Sequence, residues 1–451
     1  MVQKNLLKQV NPLSKKVWLS NWHKFFSDPE KPSEQEKLNI YLDEGFKEKS
    51  LTKVEITYPS KIKQLADKKN LVRFLATELN NIVITLGTAQ LGLEGPLAQE
   101  VKFYVEKKLP HLQEQIKENF GGQPKIQLSP LKKSLALFSA SVNPKVKILG
   151  PRLGIDVGGT SINLVLVDHG QVIQSISFPS FQKKETFHQF INRLILQIEK
   201  TVWLKKFKGI GIAWIGDARN GKPLRNSAFL KKLDNTNNLM EKFPQVISKK
   251  FGVPIGVWGD IEALGCYLGK IGRAKNSWLI RLGTSVGGAY FDAKGNFDIG
   301  FHLVSRVIIN MSNKAFKHNA TGVRGMAQQY VGSFAFTQLL QDKKIKIPPG
   351  KGPGEILQKL LIGTTTDKKI ARAIISLYSQ NLHELIKELI KHYNFKTIIL
   401  SGSPVTGLLG KTIINSVKRN LLKDKLKLTI KKDSLPQKYS GAFAVAELLR
   451  L

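Results

Sequence analysis

Two glycine-rich turns and one carboxylate have residue types and a spacing that are suited to binding a phosphate. Asp156 opens the stretch Asp-Val-Gly-Gly-Thr, which contains Gly158, Gly159 and Thr160, and the stretch 283–288 reads Gly-Thr-Ser-Val-Gly-Gly. Glycine adopts positive φ without steric cost, so such turns can bring backbone N–H groups against a phosphate, and a carboxylate beside them can hold a hydrated Mg²⁺. Taken alone, either turn is equally consistent with a hairpin that only reverses the chain.

A second carboxylate, Asp260, ends the apolar stretch 251–259 and precedes a helical pattern that begins at Ile261. A carboxylate in this position can act as a general base, taking the proton of a substrate hydroxyl. It can also cap the helix. The two roles are compatible with each other.

The elements around these residues alternate between strands and helices. Apolar strand patterns flank both turns, at 153–157 and 162–167 for the first and at 277–282 and 289–292 for the second. An amphipathic helix is predicted over 187–200, and a buried strand over 209–216 has glycines that leave room for close backbone approach. A loop then follows, from which Asn226 could present a polar group to a ligand. The alternation predicts an α/β domain.

The glycines of the N-terminal region match a set near the end of the chain. A helix over 70–79 and a strand over 82–86 are predicted before Gly87, Gly92 and Gly95. A strand over 397–401 is predicted before Gly402, Gly407 and Gly410, at the same spacing. The match predicts that residues 70–141 are a partial duplicate of the C-terminal segment, followed by a linker over 142–151.

The composition limits which binding partners and which cellular compartment are expected. The 70 Lys and Arg residues outnumber the 34 Asp and Glu residues, for a net charge of +36. Such a charge favours polyanions, yet the lysines are scattered along the chain, so we rank a general lysine bias on solvated faces first. Cys266 is the single cysteine, which excludes an intramolecular disulfide and indicates a reducing, cytoplasmic location. We expect no secretory signal and no membrane span, since no apolar stretch is long enough.

The order Asp156-x-Gly-Gly-Thr, Asp260 and Gly-Thr-Ser-x-Gly-Gly over 283–288 resembles the ROK family of sugar kinases and repressors, over about 150–451. This resemblance implies an α/β fold of the actin-like ATPase (ribonuclease H-like) type, with two lobes built on mixed β-sheets. The lobes would span 149–266 and 267–451, and the last helix would return to the first lobe. An N-terminal region, 1–148, would carry the partial α/β repeat.

The resemblance also implies a role for each residue of the site. ATP and Mg²⁺ would be the cofactors, with Asp156 orienting Mg²⁺ through water and Asp260 acting as general base. Three groups of residues would contact the nucleotide: Gly158, Gly159 and Thr160 at the β- and γ-phosphates, Gly283, Thr284, Ser285, Gly287 and Gly288 in a second phosphate loop, and Gly402 and Ser403 at the nucleoside.

The sequence departs from the family pattern around the sugar. Gly259 stands where the family commonly has an asparagine that contacts the sugar. Leu303 and Arg306 stand where the family has a sugar-binding glutamate and a zinc-binding histidine, and the cysteine cluster is missing. His302 and His318 lie nearby, but lone histidines are more often surface or core residues than ligands. We therefore predict no zinc site and an altered or lost sugar pocket.

Three classes of function follow from these patterns. The first is a glucokinase-like enzyme that transfers the γ-phosphoryl group of ATP to a hexose or a related hydroxyl acceptor, with polyphosphate as an alternative donor because of the charge. The second is a nucleotide- or sugar-binding regulator without turnover, in which the N-terminal region occludes the cleft or builds a homodimer. A nucleic-acid-binding repressor is the least favoured, because no helix-turn-helix pattern is evident.

Overall fold

The structure is a computed structural model, and it describes the following residues: 35–43, 51–59, 65–86, 88, 90–120, 126–131, 147–181, 185–200, 207–216, 218–219, 221–223, 239–296, 303–312, 314–318, 321–433, 435 and 439–451. The chain divides into two compact units. Unit 1 is drawn from Met1–Phe138, Gly300–Ile345 and Ala373–Asn394. Unit 2 is drawn from Ser139–Ile299, Lys346–Arg372 and Phe395–Leu451. The spacing of Trp18, Trp22, Phe25 and Phe26 predicts a short amphipathic helix, and these residues lie outside the described part of the chain.

Unit 1 contains an antiparallel sheet with strand order β2-β1-β3. Its strands are β1 (Gln35–Asp43), β2 (Leu51–Pro59) and β3 (Gln90–Glu94). Leu38, Ile40 and Leu42 of the central strand are fully buried. Because side chains alternate across a strand, this spacing marks one face of β1 as core. The N-terminal helices of the unit are α1 (Leu65–Leu86), α2 (Ala98–Lys108) and α3 (Pro110–Phe120).

A buried charge cluster joins α1 to the second part of a long helix, Thr365–His392 (α10). The later helices in chain order include α7 (Gln328–Val331), α8 (Ser333–Asp342) and α10 (Thr365–His392), of which residues from 373 onward belong to unit 1. Lys391 Nζ lies 2.8 Å from Glu78 Oε1 and 2.9 Å from Glu388 Oε2, and Asn81 Nδ2 donates to Glu388 Oε2 at 3.1 Å. Two carboxylates and one ammonium are thus removed from water together, which is tolerated only with mutual pairing. The N-terminal segment is therefore an integral part of unit 1.

The predicted strand over 82–86 was wrong, because these residues form the last turns of α1. Ile82, Val83 and Ile84 are all buried, as are Asn80 and Asn81 before them. A helix that is buried on all sides reads as a continuous apolar run, and periodicity cannot distinguish that run from a buried strand.

The internal duplication is not seen in the described residues. Gly92 lies within β3, where a Cβ would come 2.5 Å from Ser129 O, whereas Gly407 has a φ of +57° and begins a helix. The two glycines therefore serve different purposes, close strand approach in one case and a helix start in the other. Gly87 and residues 134–141 lie outside the described part of the chain.

Unit 2 contains a five-stranded mixed sheet with the order β10-β7-β4-β5-β6. β4, β7 and β10 are parallel, and β5 and β6 are antiparallel to their neighbours. The strands are β4 (Arg152–Val157), β5 (Ser161–Asp168), β6 (Gln171–Pro179), β7 (Ile210–Trp214) and β10 (Ile255–Gly259), with a small ribbon of β8 (Ala218–Arg219) and β9 (Lys222–Pro223). Helices α4 (Phe187–Glu199) and α5 (Leu239–Phe251) contribute Phe187, Phe190 and Phe243 to one core, around Trp214.

Helices α6 (Asp260–Lys270) and α12 (Ser440–Leu448) pack in the other core of this unit. A Cβ on Gly154 of β4 would lie 1.8 Å from Ala442 O, and one on Gly211 of β7 would lie 2.3 Å from Val445 O. These glycines therefore allow the backbone of α12 to lie directly on the sheet, which is the close approach predicted for the strand over 209–216.

A four-stranded mixed sheet completes unit 2, in the order β12-β11-β13-β14. Its strands are β11 (Ser277–Leu282), β12 (Val286–Phe291), β13 (Thr397–Ser401) and β14 (Thr429–Lys432), with helices α9 (Pro353–Ile362) and α11 (Gly407–Lys423) in the same unit. The predicted strands on either side of both glycine turns are confirmed. In the described part of the chain, every helix is too short or too polar to cross a membrane.

Candidate active site

The first glycine turn is held from outside the hairpin by Ser180. Gly158 N donates to Ser161 O at 3.0 Å, which closes the turn between β4 and β5. Ser180 Oγ donates to Gly158 O at 2.5 Å, and Ser180 N donates to Thr160 O at 3.0 Å. The exposed tip, formed by Gly159 and Thr160, is therefore supported by a residue that sequence reasoning missed, and nothing in the local sequence marks that residue.

The second glycine turn meets the first. Gly283 N donates to Ser285 O at 2.9 Å, and Thr284 and Ser285 are exposed at the tip. Thr160 Oγ1 lies 3.1 Å from Thr284 Oγ1. The two predicted phosphate turns thus come together, with their hydroxyls side by side.

Two further glycines of the predicted site lie against neighbouring elements. A Cβ on Gly287 would come 2.3 Å from the side chain of Ile261, the residue after Asp260, so the start of α6 packs directly on β12. Gly288, the last residue of the predicted second loop, is buried within β12 and pairs with Ile280 of β11.

The predicted nucleoside turn lies beside the end of β11. Gly402 has a φ of +100°, and a Cβ there would come 1.9 Å from Leu282 O, the residue before Gly283. Only glycine fits such a conformation and such a contact. Ser403 is exposed and begins a 3₁₀ turn, Ser403–Val405. The structure thereby brings this turn next to the second phosphate turn.

Asp156 is buried at the end of β4 and touches the start of α12. A Cβ on Gly441 would lie 2.5 Å from Asp156 Oδ2, so the second residue of α12 must be very small. The N-terminal turn of a helix carries partial positive charge, which favours a carboxylate. Asp156 Oδ1 is buried and has no hydrogen-bond partner in the described residues.

Asp260 is the first residue of α6, and Gly259 occupies the N-cap position. Asp260 Oδ1 accepts from Ile261 N at 2.8 Å, while Glu262 Oε2 accepts from Gly259 N at 3.0 Å. The capping role considered for Asp260 is thus shared with Glu262. One oxygen of Asp260 is engaged at the helix start, which fixes the orientation of its carboxyl group.

Burial raises the pKa of Asp260 to about 6, with the Asp156 charge acting in the same direction and the Arg281 charge opposing it. A base is most effective when its pKa lies near the working pH. A carboxyl group with this pKa is largely ionised at neutral pH, yet it accepts a proton more readily than an ordinary aspartate.

Arg281 interacts electrostatically with both Asp156 and Asp260, and it was missed by sequence reasoning. Its Nη2 is 3.3 Å from Asp156 Oδ2. Burial lowers the pKa of Arg281, but the charges of Asp156 and Asp260 more than offset this, so its pKa is raised overall and it stays charged. The available signal was a single arginine in the otherwise apolar run Trp-Leu-Ile-Arg-Leu directly before Gly283.

Asp433 is a further carboxyl group that interacts electrostatically with Arg281. It follows β14, and its N donates to Leu400 O at 2.9 Å. Burial raises the pKa of Asp433, and the charge of Arg281 is among the effects that oppose this rise. The guanidinium thus acts electrostatically on three acidic residues of unit 2.

The surroundings of Asp156 do not fit the hydrated Mg²⁺ that was predicted there. One carboxylate oxygen faces the guanidinium of Arg281, and the other is buried. Mg²⁺ in phosphate sites is held by one or two carboxylates together with waters and substrate phosphates, and at Asp156 a guanidinium already occupies one of the two oxygens. Within the described ranges, no cluster of three or more His, Cys, Asp or Glu side chains could hold a metal ion.

Leu303 and Arg306, at two of the altered sugar and zinc positions, belong to unit 1, whereas Gly259 belongs to unit 2. Arg306 O accepts from Asn80 Nδ2 of α1 at 3.3 Å. The His318 ring nitrogens lie 3.0 Å from Thr321 Oγ1 and 3.1 Å from Gln328 Oε1, and burial lowers the pKa of His318. This histidine is therefore engaged in local hydrogen bonds. Asn226 and His302 lie outside the described residues.

Solved structures with this fold are similar to the chain at low sequence identity. A ROK family glucokinase from Streptomyces griseus, in complex with glucose and AMPPNP, is 16% identical, with a TM-score of 0.52 over 66% of this chain and 99% of its own. Lmo2764 from Listeria monocytogenes, a putative N-acetylmannosamine kinase, is 13% identical, with a TM-score of 0.51 over 66% and 98%. A ROK family transcriptional regulator, a homologue of the E. coli MLC protein, is 13% identical, with a TM-score of 0.53 over 84% and 96%.

No curated protein matches the chain in sequence. The sequence model of the ROK family matches residues 152–447, which is more than half of the chain and includes every described residue of the site. The α/β fold with mixed sheets, of the actin-like ATPase type, is confirmed by the solved structures. The chain therefore belongs to the ROK family.

Proposed function

We propose that the protein is an ATP-dependent phosphotransferase that transfers the γ-phosphoryl group to a hexose or a related hydroxyl compound. The observation that carries this proposal is the 3.1 Å contact between Thr160 and Thr284 at the tips of two glycine turns. Two glycine turns with exposed tips and hydroxyls, in contact with each other, are suited to bind one chain of phosphates.

The residues of unit 2 divide the proposed reaction between them. The turns at 158–160 and 283–285 hold the phosphates, and the turn at Gly402 and Ser403 holds the nucleoside. Asp260 takes the proton of the acceptor hydroxyl while the oxygen of that hydroxyl attacks the γ-phosphorus. A new O–P bond forms, the bond between the γ-phosphorus and the bridging oxygen breaks, and ADP leaves. Positioning and charge stabilisation supply most of the rate in such transfers. No step in this scheme depends on a metal ion at Asp156.

Family membership supports the choice of nucleotide and acceptor. The Streptomyces griseus structure contains glucose and AMPPNP, so a related protein binds a hexose and an ATP analogue. For this chain, ATP and a hexose are proposals, as are substrate contacts at Gly259 and Asn226. Polyphosphate is retained as a second donor because the net charge is +36.

The proposal is tested by steady-state assays of the full chain with ATP and a panel of hexoses and N-acetylhexosamines. A phosphorylated sugar whose formation is lost in Asp260→Asn supports the enzyme. Polyphosphate replaces ATP in a parallel series. We also propose that the protein is cytoplasmic and homodimeric, and light scattering of the purified chain measures its mass. Absence of product across the panel with both donors contradicts the proposal.

A nucleotide- or sugar-binding regulator without turnover is the second candidate. It is favoured by the pairing of Asp156 with Arg281 and by the replacement of the family's sugar-binding positions with Gly259 and Leu303. The similarity to a ROK transcriptional regulator over 84% of the chain agrees with it. Calorimetric binding of ATP or sugar that is unchanged in Asp260→Asn, together with no transfer, would favour this function over the enzyme.

A further inference from the structure

We propose that Arg281 supplies the cation that balances the bound triphosphate, so that this protein binds ATP without a divalent metal ion. The inference rests on the proposed nucleotide site, and it assigns a binding residue within that site. It starts from the position of Arg281 in the sheet.

The register of the sheet places Arg281 between two of the nucleotide-binding segments. On one side of β11 it is paired with Gly287 of the second phosphate loop, and on the other with Ser401, which precedes Gly402. Arg281 itself is two residues before Gly283.

The ion pair presents its cation, and not its anion, to solvent. The side chain of Arg281 is 22% exposed, while that of Asp156 is 5% exposed. An incoming phosphate at the turns therefore meets a guanidinium before it meets the carboxylate. Guanidinium groups bind phosphate oxygens through paired N–H donors, and they are more weakly hydrated than an ammonium group.

Arg281 also has hydrogen-bonding capacity in reserve. Its Nη1 is buried and makes no hydrogen bond within the described parts of the chain. Buried polar groups are nearly always paired, so a buried, unpaired donor on this partly exposed cation suggests an acceptor that is supplied from outside.

The remaining charges around Arg281 are acidic. Asp260 and Asp433 act on it electrostatically in addition to Asp156. Without Arg281, these carboxylates would repel a triphosphate, and a divalent ion would be needed to bridge them. With Arg281 in place, a divalent ion at Asp156 would be repelled by a cation already bonded there.

The test is calorimetric titration of the full chain with ATP, once in excess MgCl₂ and once in excess EDTA. We expect the Kd values measured in MgCl₂ and in EDTA to agree within about threefold, which is a smaller change than the tenfold step used as the criterion below. Binding that is tenfold or more weaker in EDTA overturns the inference while leaving the proposed function intact. No binding in either buffer contradicts the proposed function and the inference with it.

Variants identify Arg281 as the cation. In Arg281→Met we expect ATP binding in EDTA to weaken by about tenfold or more, and Mg²⁺ to restore part of it, since Asp156 is then released. Arg281→Lys retains a charge, so its affinity for ATP in EDTA should lie between that of the unmodified protein and that of Arg281→Met. Arg372→Met removes an exposed arginine of α10 and is the matched control, with binding unchanged. A purely structural role for Arg281 would alter stability without creating a Mg²⁺ requirement, and that result would contradict the inference. If Arg281→Met does not fold, the EDTA titration of the unmodified protein still decides the matter.

Discussion

The hydroxyl of Thr160 lies 3.1 Å from the hydroxyl of Thr284, although 124 residues separate them in the chain. Each hydroxyl is at the tip of a hairpin, one from the five-stranded sheet and one from the four-stranded sheet of unit 2. Removing either hydroxyl therefore tests whether both tips grip one ligand.

Thr160→Val and Thr284→Val are each expected to weaken ATP binding by about 1 kcal/mol, the typical value of one hydrogen bond, or roughly fivefold in Kd. Calorimetry measures the Kd values. Because both hydroxyls would contact the same phosphates, we expect the double variant to be non-additive. Thr412→Val, which removes a hydroxyl that bonds only to Leu408 O on α11, is the control. If the unmodified protein, the two single variants and the double variant all bind ATP with equal affinity, that result would contradict a shared phosphate site.

Replacement of the proposed base separates catalysis from binding. Asp260→Asn should lower kcat by about 10²- to 10⁴-fold while the Kd for ATP stays within a factor of about two, because the base contacts the acceptor and not the nucleotide. Asp342→Asn, at an exposed site on α8, is the matched control and should retain full activity. An Asp260→Asn protein that turns over normally would eliminate Asp260 as the base.

The same substitution should make the folded protein more stable at neutral pH. Burial raises the pKa of Asp260 from 3.8 to about 6, so the folded state binds this proton more tightly than the unfolded chain. The ionised carboxylate therefore costs stability as the pH rises through that interval, and the cost is fully present above it. Asn removes the charge. Since the pKa of Asp260 is raised from 3.8 to about 6, we expect up to about 3 kcal/mol of added stability at pH 7, read as a higher melting temperature. Below about pH 3, where the carboxyl group is protonated in both states, the difference should vanish.

The pH profile of the reaction should report the same group. Since the base must be ionised, kcat/KM should fall as the pH drops below about 6, the pKa raised by burial of Asp260. The charge of Arg281 opposes this rise, so the acidic limb should move to higher pH in Arg281→Met. A limb near pH 4 in the unmodified protein would indicate that an ordinary, exposed carboxyl group controls the rate.

The buried charge cluster of unit 1 predicts a large effect on stability. Lys391→Met leaves Glu78 and Glu388 buried without their cation, and such a loss costs about 3–5 kcal/mol. Chemical unfolding monitored by circular dichroism measures the change. Combining Lys391→Met with Glu78→Gln and Glu388→Gln should recover most of it, because no uncompensated charge remains. Lys368→Met, at an exposed position on α10, serves as control and should change stability by less than about 0.5 kcal/mol.

Local patterns were sufficient for the turns and for the strands beside them. Glycines with a hydroxyl between two β-type runs predict a hairpin, and the structure has hairpins at both positions. The family resemblance carried by these turns and Asp260 is likewise confirmed by the family match over 152–447. These features depend on neighbours in sequence, which is why the sequence reveals them.

Residues that act through distant contacts were not predictable in this way. Ser180 supports the first turn from the end of another strand, and Gly441 accommodates Asp156 from a helix almost 300 residues further along, which is a matter of tertiary packing alone. Arg281 had a weak signal, a charge within an apolar strand, but its partner could not be inferred. The strand predicted over 82–86 failed for a related reason, since burial on all sides of α1 removed the helical period.

The contact of Gly441 with Asp156 has a consequence for biosynthesis. The hairpin that bears Asp156 is synthesised well before α12, the helix that packs on it. While a nascent chain still lacks α12, Asp156 is without its final neighbours. This helix must therefore be synthesised before this part of unit 2 can reach its final form.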